Sequence, residues 1–247
     1  VYRSLEFLAT PVKLWQWTAS GAVYSVAVDS QFNVYTGDNN MQVTNLDSNG
    51  EQVWREHKGG AVHSVAVDSQ FNVYVGDDSG YVTKLNSSGN QVWRWQATGS
   101  VLSVVVDSLF NVYAGDGGKN VTKLDSNGKQ IWQSKVPDGV WSVAVDSLFN
   151  VYAGDNSGYV TKLNSSGNQV WQWTAPGSVL SVAVDSKFNA YAGDNINNIT
   201  KLDSNGKQVW QWTAPGSVHS VAVDSKFNAY VGDSGNSYVT KLQTAKQ

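Results

Sequence analysis

The sequence predicts an all-β fold, a six-bladed β-propeller with four antiparallel strands per blade, and three observations lead there. A segment of the form Ser-Val-x-Val-Asp-Ser recurs with its leading serine at Ser25, Ser64, Ser103, Ser142, Ser181 and Ser220, one copy every 39 residues. A tryptophan recurs with the same step at Trp15, Trp54, Trp93, Trp132, Trp171 and Trp210. Between these anchors lie short runs rich in Val, Tyr, Thr and Trp, bounded by Gly, Asn, Asp and Ser, and no run keeps a helical period. A period near 40 residues with four strands in each unit describes a propeller blade.

The second unit shows the elements in order. Strand A occupies 62–68, where small and β-branched residues alternate, and the turn Asp68-Ser69-Gln70-Phe71 leads into strand B at 72–75. A Gly- and Asp-rich hairpin at 76–80 precedes strand C at 81–85, and Asn86-Ser87-Ser88-Gly89-Asn90 precedes strand D at 91–95. These connectors carry the residues that tolerate tight turns and satisfy their backbone groups. Strand A is expected innermost.

The ends of the chain predict how the ring is sealed. The sixth unit starts at Val218 and runs out after its third strand, at Leu242. Its missing fourth strand is present at the other end, because residues 13–18 repeat residues 208–213 except for Lys13 in place of Gln208 and Leu14 in place of Val209. The N-terminal strand is therefore expected to close the sixth blade and leave no free sheet edge. Residues 12–247 read as one propeller domain, 1–11 as an extension outside the repeat, and the hairpin between Asp233 and Tyr238 as carrying one extra residue.

Composition narrows the function. The net charge of −3, with acids and bases mixed along the chain, provides no electrostatic footprint for nucleic acid. No apolar run approaches the ~18 residues of a membrane span. There is no cysteine, hence no disulfide framework. The chain begins at Val1 without a signal-like apolar run, as a piece of a larger protein, a processed chain or an engineered one would.

The stretch 73–93, VYVGDDSGYVTKLNSSGNQVW, and its relatives resemble the pyrroloquinoline-quinone-type repeat and related short β-propeller repeats over nearly all of residues 12–242. The resemblance implies the propeller fold. Its quinone-using enzymes typically have eight blades, cofactor-clamping residues and a bound calcium, and none of these maps onto the six units here. It therefore extends to non-enzymatic scaffolds, and no cofactor is expected.

Repetition separates structural residues from functional ones. A tryptophan at the same place in every unit seals blade against blade. Aspartates at 29, 68, 107, 146, 185 and 224, and at 38, 77, 116, 155, 194 and 233, sit beside tight turns, where carboxylates accept backbone N–H bonds. No catalytic pattern or metal-ligand spacing stands out from the repeat, so no enzyme and no metal are expected.

Divergence points the other way. The A–B and C–D turns barely change between units, whereas the B–C hairpins and D–A segments, which share the opposite face, do. The second position of strand A reads Tyr24, His63, Leu102, Trp141, Leu180, His219. The candidate ligand-binding residues on this variable face are Tyr24, His63, Trp141, His219, His57, Trp95, Lys119 and Asn197. The expected function is a non-enzymatic recognition module for a glycan or protein. It is expected as a monomeric domain, within a larger protein, at an extracellular, virion or cell surface. A scaffold without a small ligand is the alternative, and a quinone-dependent oxidoreductase the least favoured.

Overall fold

The computed structural model describes residues 13–235 and 239–243, so the extension at 1–11 lies outside the described residues. Twenty-three strands form six antiparallel sheets, and no helix occurs among the described residues. The first sheet is β1 (Val23–Val28), β2 (Val34–Asp38), β3 (Gln42–Leu46) and β4 (Gln52–His57). The second is β5 (Val62–Val67), β6 (Val73–Asp77), β7 (Tyr81–Leu85) and β8 (Gln91–Gln96). The third is β9 (Val101–Val106), β10 (Val112–Asp116), β11 (Asn120–Leu124) and β12 (Gln130–Lys135). The fourth is β13 (Val140–Val145), β14 (Val151–Asp155), β15 (Tyr159–Leu163) and β16 (Gln169–Thr174). The fifth is β17 (Val179–Val184), β18 (Ala190–Asp194), β19 (Asn198–Leu202) and β20 (Gln208–Thr213). The sixth holds three strands, β21 (Val218–Val223), β22 (Ala229–Asp233) and β23 (Val239–Leu242).

Each sheet is a meander in which every strand pairs with its sequence neighbour. The A–B turn explains the constancy of its sequence. Asp68 Oδ1 accepts from the N–H groups of Gln70 and Asn72, both at 2.9 Å. Its Oδ2 accepts from Asn72 Nδ2 and from the Tyr74 hydroxyl, also at 2.9 Å. Phe71 takes φ 65°, a conformation costly for a bulky residue and held here by the carboxylate that bonds on both sides of it. The same arrangement recurs in all six blades, so this ring of aspartates caps turns.

The core lies between sheets. Five apolar clusters each join one blade to the next; in one, Tyr113 and Val121 of the third blade pack on Val140, Val143 and Val151 of the fourth. Gly154 permits this approach, because a side-chain carbon there would stand 2.5 Å from Val179 Cγ1. The repeated tryptophan crosses the same interface: Trp171 Nε1 donates to Ser204 O at 3.0 Å, and its ring lies over the turn glycine Gly206. A serine bond accompanies it, as in Val182 N–H to Ser142 Oγ at 3.0 Å.

Among the described residues the sixth blade shows three of its expected four strands. Residues 13–18 form no strand, and among the described residues no strand pairs with the outer side of β23. Trp15 nevertheless donates to Ser48 O at 3.1 Å, the bond that each preceding blade's tryptophan makes to the next blade. The segment has thus settled on the first blade without pairing to the sixth. The Trp15 side chain finds its repeat partner in the C–D turn of the first blade, while among the described residues no backbone pairing with β23 is made. The faces that would meet stand apart: Val23, Val26 and Val28 are exposed, and only Ser220 lies near the Cβ position of Gly232. Register does show the extra hairpin residue, since Ala190 pairs with Leu202 but Ala229 with Leu242.

Candidate recognition face

Strand A sorts its side chains by position. Its first valine seats on the glycine of the preceding blade, as Val140 does on Gly115, and the serine bonds to the neighbouring inner strand. The second residue is turned away from both. Tyr24, His63, Leu102, Trp141, Leu180 and His219 accordingly converge on one cavity of about 430 Å³. Four of the eight candidates from the sequence are therefore brought together. The Tyr24 and His63 rings stack at 5.3 Å with 14° between their planes. His63 Nε2 lies 2.9 Å from Asp78 Oδ1, and Trp141 Nε1 donates to Asn156 Oδ1 at 3.2 Å.

A second cavity, of about 240 Å³, adjoins the first through Leu102 and Trp141 and is completed by Gly117, Asp138, Gly139 and Asn156. Asp138 organises this rim. It accepts from the Gly139 N–H at 2.9 Å, Ser157 Oγ at 2.9 Å and Asn156 Nδ2 at 3.3 Å, and pairs with Lys119 Nζ at 3.1 Å. The Gly139 N–H and the Lys119 ammonium hold its carboxyl well below the usual carboxylate range. Lys119 is thus placed at the rim, spent on Asp138. Sequence reasoning missed Asp138, although a signal existed: the other five blades have glycine there, at 21, 60, 99, 177 and 216.

The remaining candidates lie elsewhere. Trp95 is half-buried against the core between the second and third blades, so its ring is committed to packing. Asn197 takes φ 80° in its hairpin and accepts from the Ala214 N–H through its backbone carbonyl at 2.6 Å; it does not line either cavity. His57 meets Gln42 Nε2 at 2.8 Å and lines a separate pocket in the second blade.

A largely apolar cavity of about 310 Å³ lies between Trp210 and Trp212 of the fifth blade and Leu242 of β23, the outermost described strand of the sixth. Trp210 Nε1 is buried there without a partner among the described residues, because its equivalent acceptor would be residue 244. The second ring of aspartates caps the B–C hairpins, as where Asp38 Oδ1 accepts from the Asn40 and Gln42 N–H groups at 3.0 Å. Among the described residues no three His, Asp or Glu side chains gather as a metal site, and no helix is long and apolar enough to cross a membrane.

A family model described as outer membrane protein assembly factor BamB, built of quinone-type repeats, matches the chain over residues 10–143, 39–177 and 118–246. No curated protein matches it.

Proposed function

From the premise that the chain belongs to the BamB-type family of quinone-type repeats, which its matched stretches span almost end to end, we propose a non-enzymatic β-propeller recognition module that binds a protein ligand at the mouth of the inner strands. One observation carries this reading. The position that lines the 430 Å³ cavity carries Tyr, His, Leu, Trp, Leu and His around the blades, while the residues framing it repeat almost unchanged. Exposed aromatic and aliphatic groups beside Asp78, Asp138 and Asn156 suit a peptide loop with both apolar and hydrogen-bonding groups. A glycan is the second reading, favoured by Trp141 and Tyr24, which remain 41% and 52% exposed beside amide and carboxylate partners.

The reading includes closure of the six blades into a ring, which would complete the mouth. The two open faces are the halves of the interface used five times within the chain, with Gly232 and Ser220 on one side and Val23 and Val26 on the other. Bringing them together would cover three exposed valines, at a gain of about 25 cal/mol for each Å² of apolar surface removed from water.

The test is a screen of the purified chain on peptide and glycan arrays, repeated with Trp141→Ala. A peptide hit weakened at least about tenfold by the substitution, as for an aromatic anchor, supports the proposal. Glycan hits alone would move the assignment to the second reading. Hits that survive Trp141→Ala unchanged would remove the function from the mouth.

A further inference from the structure

The second blade contains a pocket that the repeat does not account for. In the second ring of aspartates, the outer carboxylate oxygen is bonded in three blades. Asp38 Oδ2 accepts from Ser20 Oγ at 2.6 Å, Asp116 Oδ2 from Thr98 Oγ1 at 3.3 Å, and Asp194 Oδ2 from Asn198 Nδ2 at 3.1 Å. In the second blade both cap positions are lost, since Gly59 stands where Ser20 and Thr98 do, and Tyr81 where Asn198 does. Asp77 is fully buried, at 0% exposure, and its Oδ2 has no partner. A buried carboxylate oxygen left unbonded costs on the order of 1–3 kcal/mol or more, so it requires an explanation.

The same site joins two cations, Lys58 and Arg94, whereas the first blade has Arg55 at the equivalent of Arg94 but Ala19 at that of Lys58. Lys58 occupies the place held elsewhere by Ala97, Val136, Ala175 and Ala214, all buried and apolar. Burial pulls its ammonium below the usual lysine range, with Glu56 and Asp77 acting against that shift. At the equivalent of Arg94, Arg55, Gln133 and Gln172 bond to a strand-C threonine. Arg94 does not. Its guanidinium lies over the Tyr81 ring, with Nη2 3.5 Å from where a side-chain carbon on Gly59 would stand. Asp77, Lys58, Arg94, His57 and Gly59 enclose about 100 Å³, and neither cation comes within ion-pair distance of the Asp77 carboxylate.

Asp77, Lys58 and Arg94 all line this space, so a ligand that donates a hydrogen bond to Asp77 Oδ2 and accepts from the two cations would satisfy all three. We propose that the pocket binds hydrogen phosphate, whose P–OH satisfies Asp77 while its unprotonated oxygens face Lys58 and Arg94. At neutral pH inorganic phosphate always carries a proton and sulfate carries none. The buried carboxylate therefore acts as a filter, because a site built around a hydrogen-bond donor rejects the analogue that lacks it by orders of magnitude. Arginine and lysine supply the charge-assisted bonds that phosphate oxygens take. The fourth blade is an internal contrast: Asp155 Oδ2 is orphaned too, but Val136 and Gln172 stand where the second blade has Lys58 and Arg94. The pocket is separate from the channel mouth, so the two assignments stand or fall independently.

Isothermal titration of the chain with sodium phosphate and with sodium sulfate at pH 7 tests the proposal. Saturable phosphate binding is expected, with sulfate at least about a hundredfold weaker. Lys58→Ala, which restores the residue of the other blades and so keeps the fold, is expected to weaken phosphate binding by about tenfold or more. Asp77→Asn is expected to collapse the ratio of phosphate to sulfate affinity toward one; if that variant does not fold, the wild-type ratio and Lys58→Ala still decide. Equal binding of sulfate, absence of saturable phosphate binding, or unchanged affinity in Lys58→Ala would each overturn it.

Discussion

Adding one methyl group at two equivalent glycines distinguishes a closed ring from an open one. In Gly154→Ala the new carbon would stand 2.5 Å from Val179 Cγ1 and 2.8 Å from Val182 Cγ2. Carbon atoms pack at about 3.5–4.0 Å, so roughly 1 Å of overlap must be relieved. Both valines are buried in the inner strand of the next blade, and that strand cannot retreat without opening a core cluster. The cost expected for such overpacking is about 1–3 kcal/mol. At Gly232 the same carbon meets only Ser220, at 3.5 Å, and Gly232→Ala on an open blade would be neutral or stabilising by about 0.4–1 kcal/mol through the unfolded chain. If the ring is closed, Val23 seats on Gly232 as Val179 does on Gly154, and Gly232→Ala costs the same 1–3 kcal/mol or so. Urea melts followed by tryptophan fluorescence measure both, with the slope checked for constancy so that the midpoint shift reports stability. Closure predicts similar losses for the two variants. A neutral Gly232→Ala beside a costly Gly154→Ala would refute closure, and a neutral Gly154→Ala would refute the packing argument itself.

Other perturbations follow from the same contacts. Trp171→Ala empties a part-buried indole and removes its bond to Ser204 O, so a loss of about 3–5 kcal/mol is expected, the range for truncating a large aromatic in a core. Trp141→Ala, with a single bond to exposed Asn156, is expected to cost clearly less in the same melt; equal costs would dissolve the distinction between sealing and mouth tryptophans. Deleting residues 1–18 removes Trp15 from Ser48 and is expected to lower the melting midpoint; an unchanged midpoint would show that this segment seals nothing. Asp224 is depressed to about 2, chiefly by its side-chain bond from Asn228. Its folded value lies below the unfolded one of about 3.9, so its contribution is present above about pH 4 and lost as pH falls through about 2. Between pH 5 and 2 or so, Asp224→Asn should therefore show a shallower fall in melting temperature than the wild type; parallel curves would assign the acid transition to other groups.

The repeat period, the four strands of each unit, the capping role of the first ring of aspartates and the sealing role of Trp54 through Trp171 were all legible in the amino-acid sequence. Each depends on contacts that lie within one unit or recur at a fixed spacing. An Asp four residues before its Asn and six before its Tyr carries its own partners, as Asp146 does with Asn150 and Tyr152. A tryptophan bonded to a serine 33 residues later recurs with the repeat, as Trp93 does with Ser126. The convergence of Tyr24, His63, Trp141 and His219 was also foreseeable, since one strand position must take one direction in every blade.

Tertiary structure decided what the repeat could not. Trp95 read as a ligand-binding candidate, but it lies two residues beyond Trp93 on the same strand face, and its ring packs with that of Trp93 against the next blade's core. Asp138 controls the rim only because Lys119, Asn156 and Ser157 come to it from two hairpins, a meeting with no fixed spacing in the chain. The orphaned oxygen of Asp77 arises from what Gly59 and Tyr81 fail to provide, and an absent partner leaves no motif. The seam depends on tertiary structure too. Residues 13–18 match a D strand almost letter for letter, yet that match sets local preference alone. Whether the strand pairs depends on bringing the two ends of the chain within hydrogen-bonding distance, and among the described residues only the side chain of Trp15 reaches its repeat partner, on the first blade.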